Sequence, residues 1–286
     1  MKKLIGWLAL LAAGTACQHQ TPPTARALVP MPAVASVAVL PTAAPAPAPA
    51  DTLTAPMRAL LGGYDLAGLW SGWNPEQQTA RDTSNAVLDG FFGPDHYRIS
   101  FIFTQVRRDS ADPAVFHVSG KSRYKRQVTP FAGLLKVQQL ADLDRRYLDL
   151  APTDSLTKGY TARASFLFQE DPAVPGTGKF EGTGILDFYV SPDAETPVGY
   201  AQVMGGEDGP ARGQGLLFRG HWVGTKTKQR KEVLLARSIF SIAPDVLKDF
   251  ALGERDATIN PKYAKLGWGN YWENEEWWAA SPKLSL

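Results

Sequence analysis

Between Tyr97 and Ser241, apolar and polar positions alternate over several separate segments. Tyr97, Ile99, Phe101 and Phe103 are interleaved with Arg98, Ser100, Ile102 and Thr104. Ala162, Ala164, Phe166 and Phe168 are interleaved with Arg163, Ser165, Leu167 and Gln169. Phe180, Gly182, Gly184, Leu186, Phe188 and Val190 fall on one face, with Glu181, Thr183 and Asp187 on the other. A period of two belongs to strands, so each segment predicts a strand with one dry and one wet face. Further strands are predicted over 66–73, 114–126, 131–140, 198–204, 214–225 and 232–241, with turn-rich stretches at 108–113, 171–178 and 205–213. No long amphipathic helix comes between them. Connections without crossover helices imply antiparallel neighbours, and a meander this long protects its edges by closing on itself. The expected fold class is therefore all-β, an antiparallel meander closing into a barrel of about 8–9 strands.

Phe131-Ala-Gly133, Phe180-Glu-Gly182 and Phe218-Arg-Gly220 each open a predicted strand after a turn. Phe buries area, and a glycine two residues later on the same face leaves room for the close approach that a sharply coiled barrel wall needs.

The ends of the chain differ from this pattern. Lys2 and Lys3 precede a ten-residue apolar run, Leu4 to Ala13, followed by Gly14-Thr15-Ala16 and then Cys17. Ten residues span about half of a ~30 Å hydrocarbon core, so the run reads as an export signal and not as a membrane span. It resembles the signal of a bacterial lipoprotein, in which the cysteine after the cleavage site is acylated and becomes the first residue. The resemblance implies that Cys17 is lipidated and holds the protein on a lipid bilayer, with the outer membrane of a Gram-negative cell envelope as the expected location. Gly14 stands where such signals carry Leu, and an ordinary secretory signal cut after Ala16 is the alternative. Cys17 is the only cysteine, which excludes an intramolecular disulfide.

Gln18 to Pro56 is rich in Pro, Ala and Thr and has no aromatic residue, the composition of an extended, semi-rigid tether. The expected organisation is a signal over 1–16, a tether over 17–56, a barrel domain over 57–243 and an extension over 244–286 packed on the barrel. Short helices are expected over 245–250 and 261–266 of that extension. The extension then carries Trp268, Tyr271, Trp272, Trp277 and Trp278, beside Glu273, Asn274, Glu275 and Glu276. These aromatic residues are either a stacking platform for a glycan or peptide, or a hydrophobic face packed on the barrel wall.

The segment Asp65-Leu-Ala-Gly68-Leu-Trp70-Ser-Gly-Trp73 resembles the G-x-W opening of the calycins, the barrel superfamily of lipocalins, fatty-acid-binding proteins and avidins. That resemblance implies that Gly68 and Trp70 open the first strand and that Trp70 plugs one end of the barrel. It further implies that Arg237, near the end of the last strand, stacks across the Trp70 ring.

Charge and motifs narrow the chemistry. Of 30 Lys and Arg, removing Lys2 and Lys3 leaves 28 against 28 acidic residues. A neutral mature chain lacks the net basic footprint of a nucleic-acid-binding protein. The basic clusters 121–126 and 226–231 read as exposed strand and turn charge. Gly176-Thr-Gly178-Lys179 lacks both the earlier glycine and the following Ser or Thr of a phosphate loop, and reads as a turn. No nucleophile elbow or H-E-x-x-H motif is present. His19, His96, His117 and His221 lack ligand spacing, so neither a metal nor a cofactor is expected, and His221 is expected to be a strand residue with a satisfied ring nitrogen. The leading expectation is a non-catalytic envelope lipoprotein whose barrel binds an apolar small molecule or a glycan. The alternatives are a structural or interaction protein without a small ligand, and a hydrolase of unknown class.

Overall fold

The computed structural model describes residues 50–73, 86–148, 156–201, 210–253, 257–273 and 276–279. The expected signal, Cys17 and the tether up to residue 49 lie outside the described residues. Two short helices, α1 (Ala55–Gly63) and α2 (Ala67–Trp70), come first. The strands follow as β1 (Leu88–Phe92), β2 (Tyr97–Arg108), β3 (Val115–Tyr124), β4 (Gln127–Leu143), β5 (Lys158–Glu170) and β6 (Gly178–Val190). Then come β7 (Val198–Tyr200), β8 (Leu216–Gly224) and β9 (Arg230–Ala236). The C-terminal part holds α3 (Ala243–Val246), the small pair β10 (Ala251–Leu252) and β11 (Thr258–Ile259), and a 3-10 helix, Pro261–Leu266.

Among the described residues, nine strands pair in the order β5-β4-β3-β2-β1-β9-β8-β6-β7, and a further β5–β6 pairing closes eight of them into a ring. Every pairing is antiparallel, as expected for a meander without crossover helices. β7 only lengthens the edge that β8 leaves free on β6. The glycines work as their spacing implied: a Cβ on Gly133 would lie 1.9 Å from the Leu167 carbonyl oxygen, on Gly182 2.2 Å from that of Arg219, and on Gly220 2.1 Å from that of Glu181. No side chain fits where neighbouring strands approach so closely.

One end of the barrel carries the turns β1–β2, β3–β4, β5–β6 and β8–β9, and the other is covered by α1 and α2. Arg108 of β2 donates to the Leu61 and Gly62 carbonyls at 2.9 and 3.0 Å, and Arg58 pairs with Asp112 at 3.1 Å. The chain touches the barrel before the expected tether ends, since the Thr52 amide donates to the Gln138 carbonyl at 2.8 Å.

The segment 66–73 is not a strand. Its helix α2 enters the barrel end, where no strand edge is available to pair with it. It satisfies its own backbone groups instead, the Trp70 amide donating to the Leu66 carbonyl at 3.0 Å. Gly68 therefore lies in a helix, where a Cβ would come 3.2 Å from the Trp73 ring. Trp70 is buried and points inward, its ring 6.1 Å from that of Phe218 and 6.5 Å from that of Phe116. The Arg237 guanidinium lies over Tyr200, 4.5 Å from the ring centre, in place of Trp70. The Tyr200 hydroxyl donates to the Leu69 carbonyl, so the arginine braces the α2 turn through the tyrosine.

From Trp70 the interior continues as packed rings. Phe218 meets Phe103 at 5.7 Å and Phe166 at 5.4 Å, Phe166 stacks on Phe168 at 4.8 Å, and Phe168 on Phe131 at 5.3 Å. Phe131 meets Phe101 at 5.1 Å, and Phe101 meets Phe180 at 4.8 Å. This column fills the barrel from its plugged end to the turn end.

A second cluster lies outside the wall, where the C-terminal segment covers parts of β1, β8 and β9 and reaches Arg98 of β2. Trp268 is buried against Phe91 at 5.3 Å and Phe250 at 4.9 Å. The cover overturns the expected wet face of β2. Arg98 and Ser100 are buried, both donating to Asp89 Oδ1, at 2.9 and 2.5 Å. Asp187, expected on the wet face of β6, is also buried, because residues 201 and 211–215 lie across it.

Candidate functional site

At the turn end, opposite Trp70, the aromatic column opens into a pocket of about 100 Å³. Its lining includes Phe92, Tyr124, Phe180, Trp222, Glu170 and Lys231. These residues come from different strands and face inward by the same parity that buries the core. Glu170 continues the series Ala162, Ala164, Phe166, Phe168 on β5; Ser122 and Tyr124 continue Phe116 and Val118 on β3; Lys231 precedes Val233 and Leu235 on β9. Each is the point at which an apolar inward face turns polar as it reaches solvent.

Glu170 forms the floor and is only 6% exposed. Ser122 Oγ donates to its Oε1 at 2.9 Å. The Gly178 amide and the Trp222 indole N–H donate to its Oε2, each at 2.8 Å. A buried carboxylate needs such donors, since burial strips it of water. No cationic side chain among the described residues forms an ion pair with it.

Two glycines set the Trp222 ring in place. A Cβ on Gly178 would come 2.6 Å from the indole, and one on Gly224, its cross-strand partner, 2.9 Å from the far side of the ring. The Gly-Thr-Gly-Lys turn thus has a role unrelated to phosphate: its second glycine leaves space for the indole and donates its own amide to Glu170. Gln127 spans the rim, its amide donating to the Pro175 carbonyl at 3.0 Å and so joining the β3–β4 and β5–β6 turns.

The Lys231 ammonium sits among three of the pocket's rings, 5.2 Å from the centre of Phe92, 5.6 Å from Trp222 and 5.7 Å from Tyr124. Lys125 flanks Tyr124 from the rim at 5.3 Å. Cations are drawn to ring faces by the quadrupole of the π system. Burial raises the Tyr124 phenol above its ordinary value against the lowering pull of Lys125, so near neutrality the pocket presents a neutral hydroxyl.

The residues expected to form an aromatic platform are separated. Trp268 is buried and Tyr271 half-buried, its ring 5.0 Å from the Arg98 guanidinium. Trp272 is 65% exposed and stacks one face on Phe240 at 5.6 Å. Trp277 and Trp278 pack edge to face at 5.5 Å, and Arg123 covers the Trp277 ring at 5.0 Å. Lys121 donates to the Trp278 carbonyl, so part of the first basic cluster contacts the Trp277–Trp278 pair. Asn274 and Glu275 lie outside the described residues. His117 is paired with Asp109 at 2.8 Å, and His221 Nδ1 meets Arg230 at 2.8 Å, the satisfied ring nitrogen expected of it. No group of three or more His, Cys, Asp or Glu converges among the described residues.

Sequence reasoning did not reach Glu170, Ser122, Tyr124, Trp222 or Lys231 as one site. Its only trace was parity, a charged residue standing where the inward face expected an apolar one. Comparisons with protein-family models, with characterised proteins and with solved structures find no match to this chain.

Proposed function

We propose that this protein is a membrane-tethered envelope lipoprotein that binds a small molecule at the mouth of its barrel without transforming it. One observation carries the reading: the interior is packed with aromatic rings from Trp70 onward, and at the turn end it gives way to a pocket floored by a buried carboxylate. A ligand pocket is concave, mostly apolar, and carries a few placed polar groups. This one has Phe92, Phe180 and Trp222 for walls and Glu170, Ser122 and Thr129 for hydrogen bonding. Its size suits a head group, as drug-sized ligands need roughly 300–1,000 Å³. The ligand sits at the rim because the phenylalanine column takes the interior. The lipid anchor at Cys17 and the tether belong to the same proposal.

Native mass spectrometry of the full chain purified from its own cells tests it. The expected result is an added small-molecule mass that is lost in Trp222→Ala while the circular dichroism spectrum is kept. A ligand mass retained in that folded variant would place binding elsewhere.

A further inference from the structure

Resting on the mouth-binding reading, we propose that the pocket takes a small organic ammonium. Its N–H groups would meet Glu170, and its carbon chain would lie between Phe92, Tyr124 and Trp222, where the Lys231 side chain now sits. Glu170 is the first reason. Its carboxylate is buried with three neutral donors and no ion-pair partner among the described residues. Neutral donors orient a buried carboxylate but leave its charge uncompensated, and a cation on it offsets that cost. Oε2 takes two donors and Oε1 only one, so Oε1 keeps room for an N–H from a ligand.

The second reason is the cage. Three ring faces already hold an ammonium, that of Lys231, at 5.2 to 5.7 Å. Lys231 satisfies the rings without contacting the acid, since among the described residues no ion pair links it to Glu170. A diffusible ammonium that reaches Oε1 engages both the rings and the carboxylate. Lys231 would swing into solvent at little cost, because its stem is flexible and its head strongly hydrated. An anion would meet Glu170 instead, and a neutral alcohol would gain the walls but not the charge.

Titration of the full chain with butylammonium, butanol and butyrate, followed by the Trp222 indole N–H resonance, separates the possibilities. Butylammonium is expected to bind most tightly and to move that resonance, which reports the bond to Glu170. Glu170→Gln is expected to weaken it by about tenfold or more, the effect of removing a charged hydrogen-bond partner. Lys231→Met, which keeps the length of the stem and removes the competing charge, is expected to tighten it severalfold. Since Glu170→Gln could disturb folding, Lys231→Met carries equal weight. Weaker butylammonium binding in that variant would overturn the displacement of Lys231. If butanol or butyrate bound as well as butylammonium, the ligand class would be wrong and mouth binding would stand. If none of the three moved the resonance in either wild type or Lys231→Met, the ammonium proposal would fall, and the ligand mass sought in wild type and Trp222→Ala would decide the mouth reading separately.

Discussion

Asp187 shows how burial can outweigh hydrogen bonding at one side chain. It lies on the outer face of β6, 3% exposed, and accepts from Thr161 Oγ1 and the Ala211 amide, each at 2.7 Å. Burial pushes its carboxyl up to about 6, although those two donors and Arg163 pull it down. The folded state therefore holds the proton more tightly than the unfolded chain, where the value is 3.8. Between these values the native state binds more protons, so stability falls as pH rises through the window and levels off above it. The gap corresponds to about 3 kcal/mol. Asp187→Asn removes the titration; its one amide oxygen can accept from the Ala211 amide while its NH2 donates to the Thr161 hydroxyl, which can accept as well as donate. Denaturant unfolding from pH 4 to pH 7 should show the variant gaining on wild type by up to that amount as pH rises. A difference independent of pH would mean that Asp187 does not titrate there.

Among the elements, the C-terminal segment is the one whose removal would be felt across the wall. It covers Phe91 of β1 and the buried Asp89–Arg98 pair, and it brings Trp268 and Tyr271 over Arg98 at 5.7 and 5.0 Å. Deleting residues after Lys265 exposes this apolar face and leaves Arg98 and Asp89 to water on a wall built for burial. Loss of a buried Trp typically costs ~3–5 kcal/mol, so the truncated protein should unfold at markedly lower denaturant, with Trp268→Ala shifting in the same direction. A truncated chain that melts at the wild-type temperature would show that the cover is dispensable.

For the whole molecule, closure matters most. β1 joins β2 on one side and β9 on the other, so residues 88–92 and 233–236 meet only when the chain has come full circle. A closed ring leaves no long strand edge open to pairing with another chain, which suits a domain proposed to stand alone on a tether. Anchoring is proposed to depend on Cys17, and Cys17→Ser should move the domain from the membrane fraction to the soluble one. A Cys17→Ser protein still found with the membranes would exclude the acyl anchor.

Local periodicity was enough to specify most of the wall. A half-buried strand must alternate, and the strands from β2 to β6, with β8 and β9, each carried that signature over part of their length. The crowded glycines at 133, 182 and 220 were readable for a similar reason, since a Phe-x-Gly step declares both a buried ring and a missing side chain on one face. β1 escaped because Leu-Asp-Gly-Phe-Phe is buried on both faces, by the barrel within and the C-terminal segment without, and double burial erases the alternation. Residues 66–73 read as a strand, but they pack inside the barrel end, where only a helix can satisfy its own backbone. The mouth depended on tertiary structure most of all. Glu170, Ser122, Trp222 and Lys231 are far apart along the chain and ordinary in their local context. Ring closure sets them side by side, and no spacing rule along one strand encodes a contact made across the barrel.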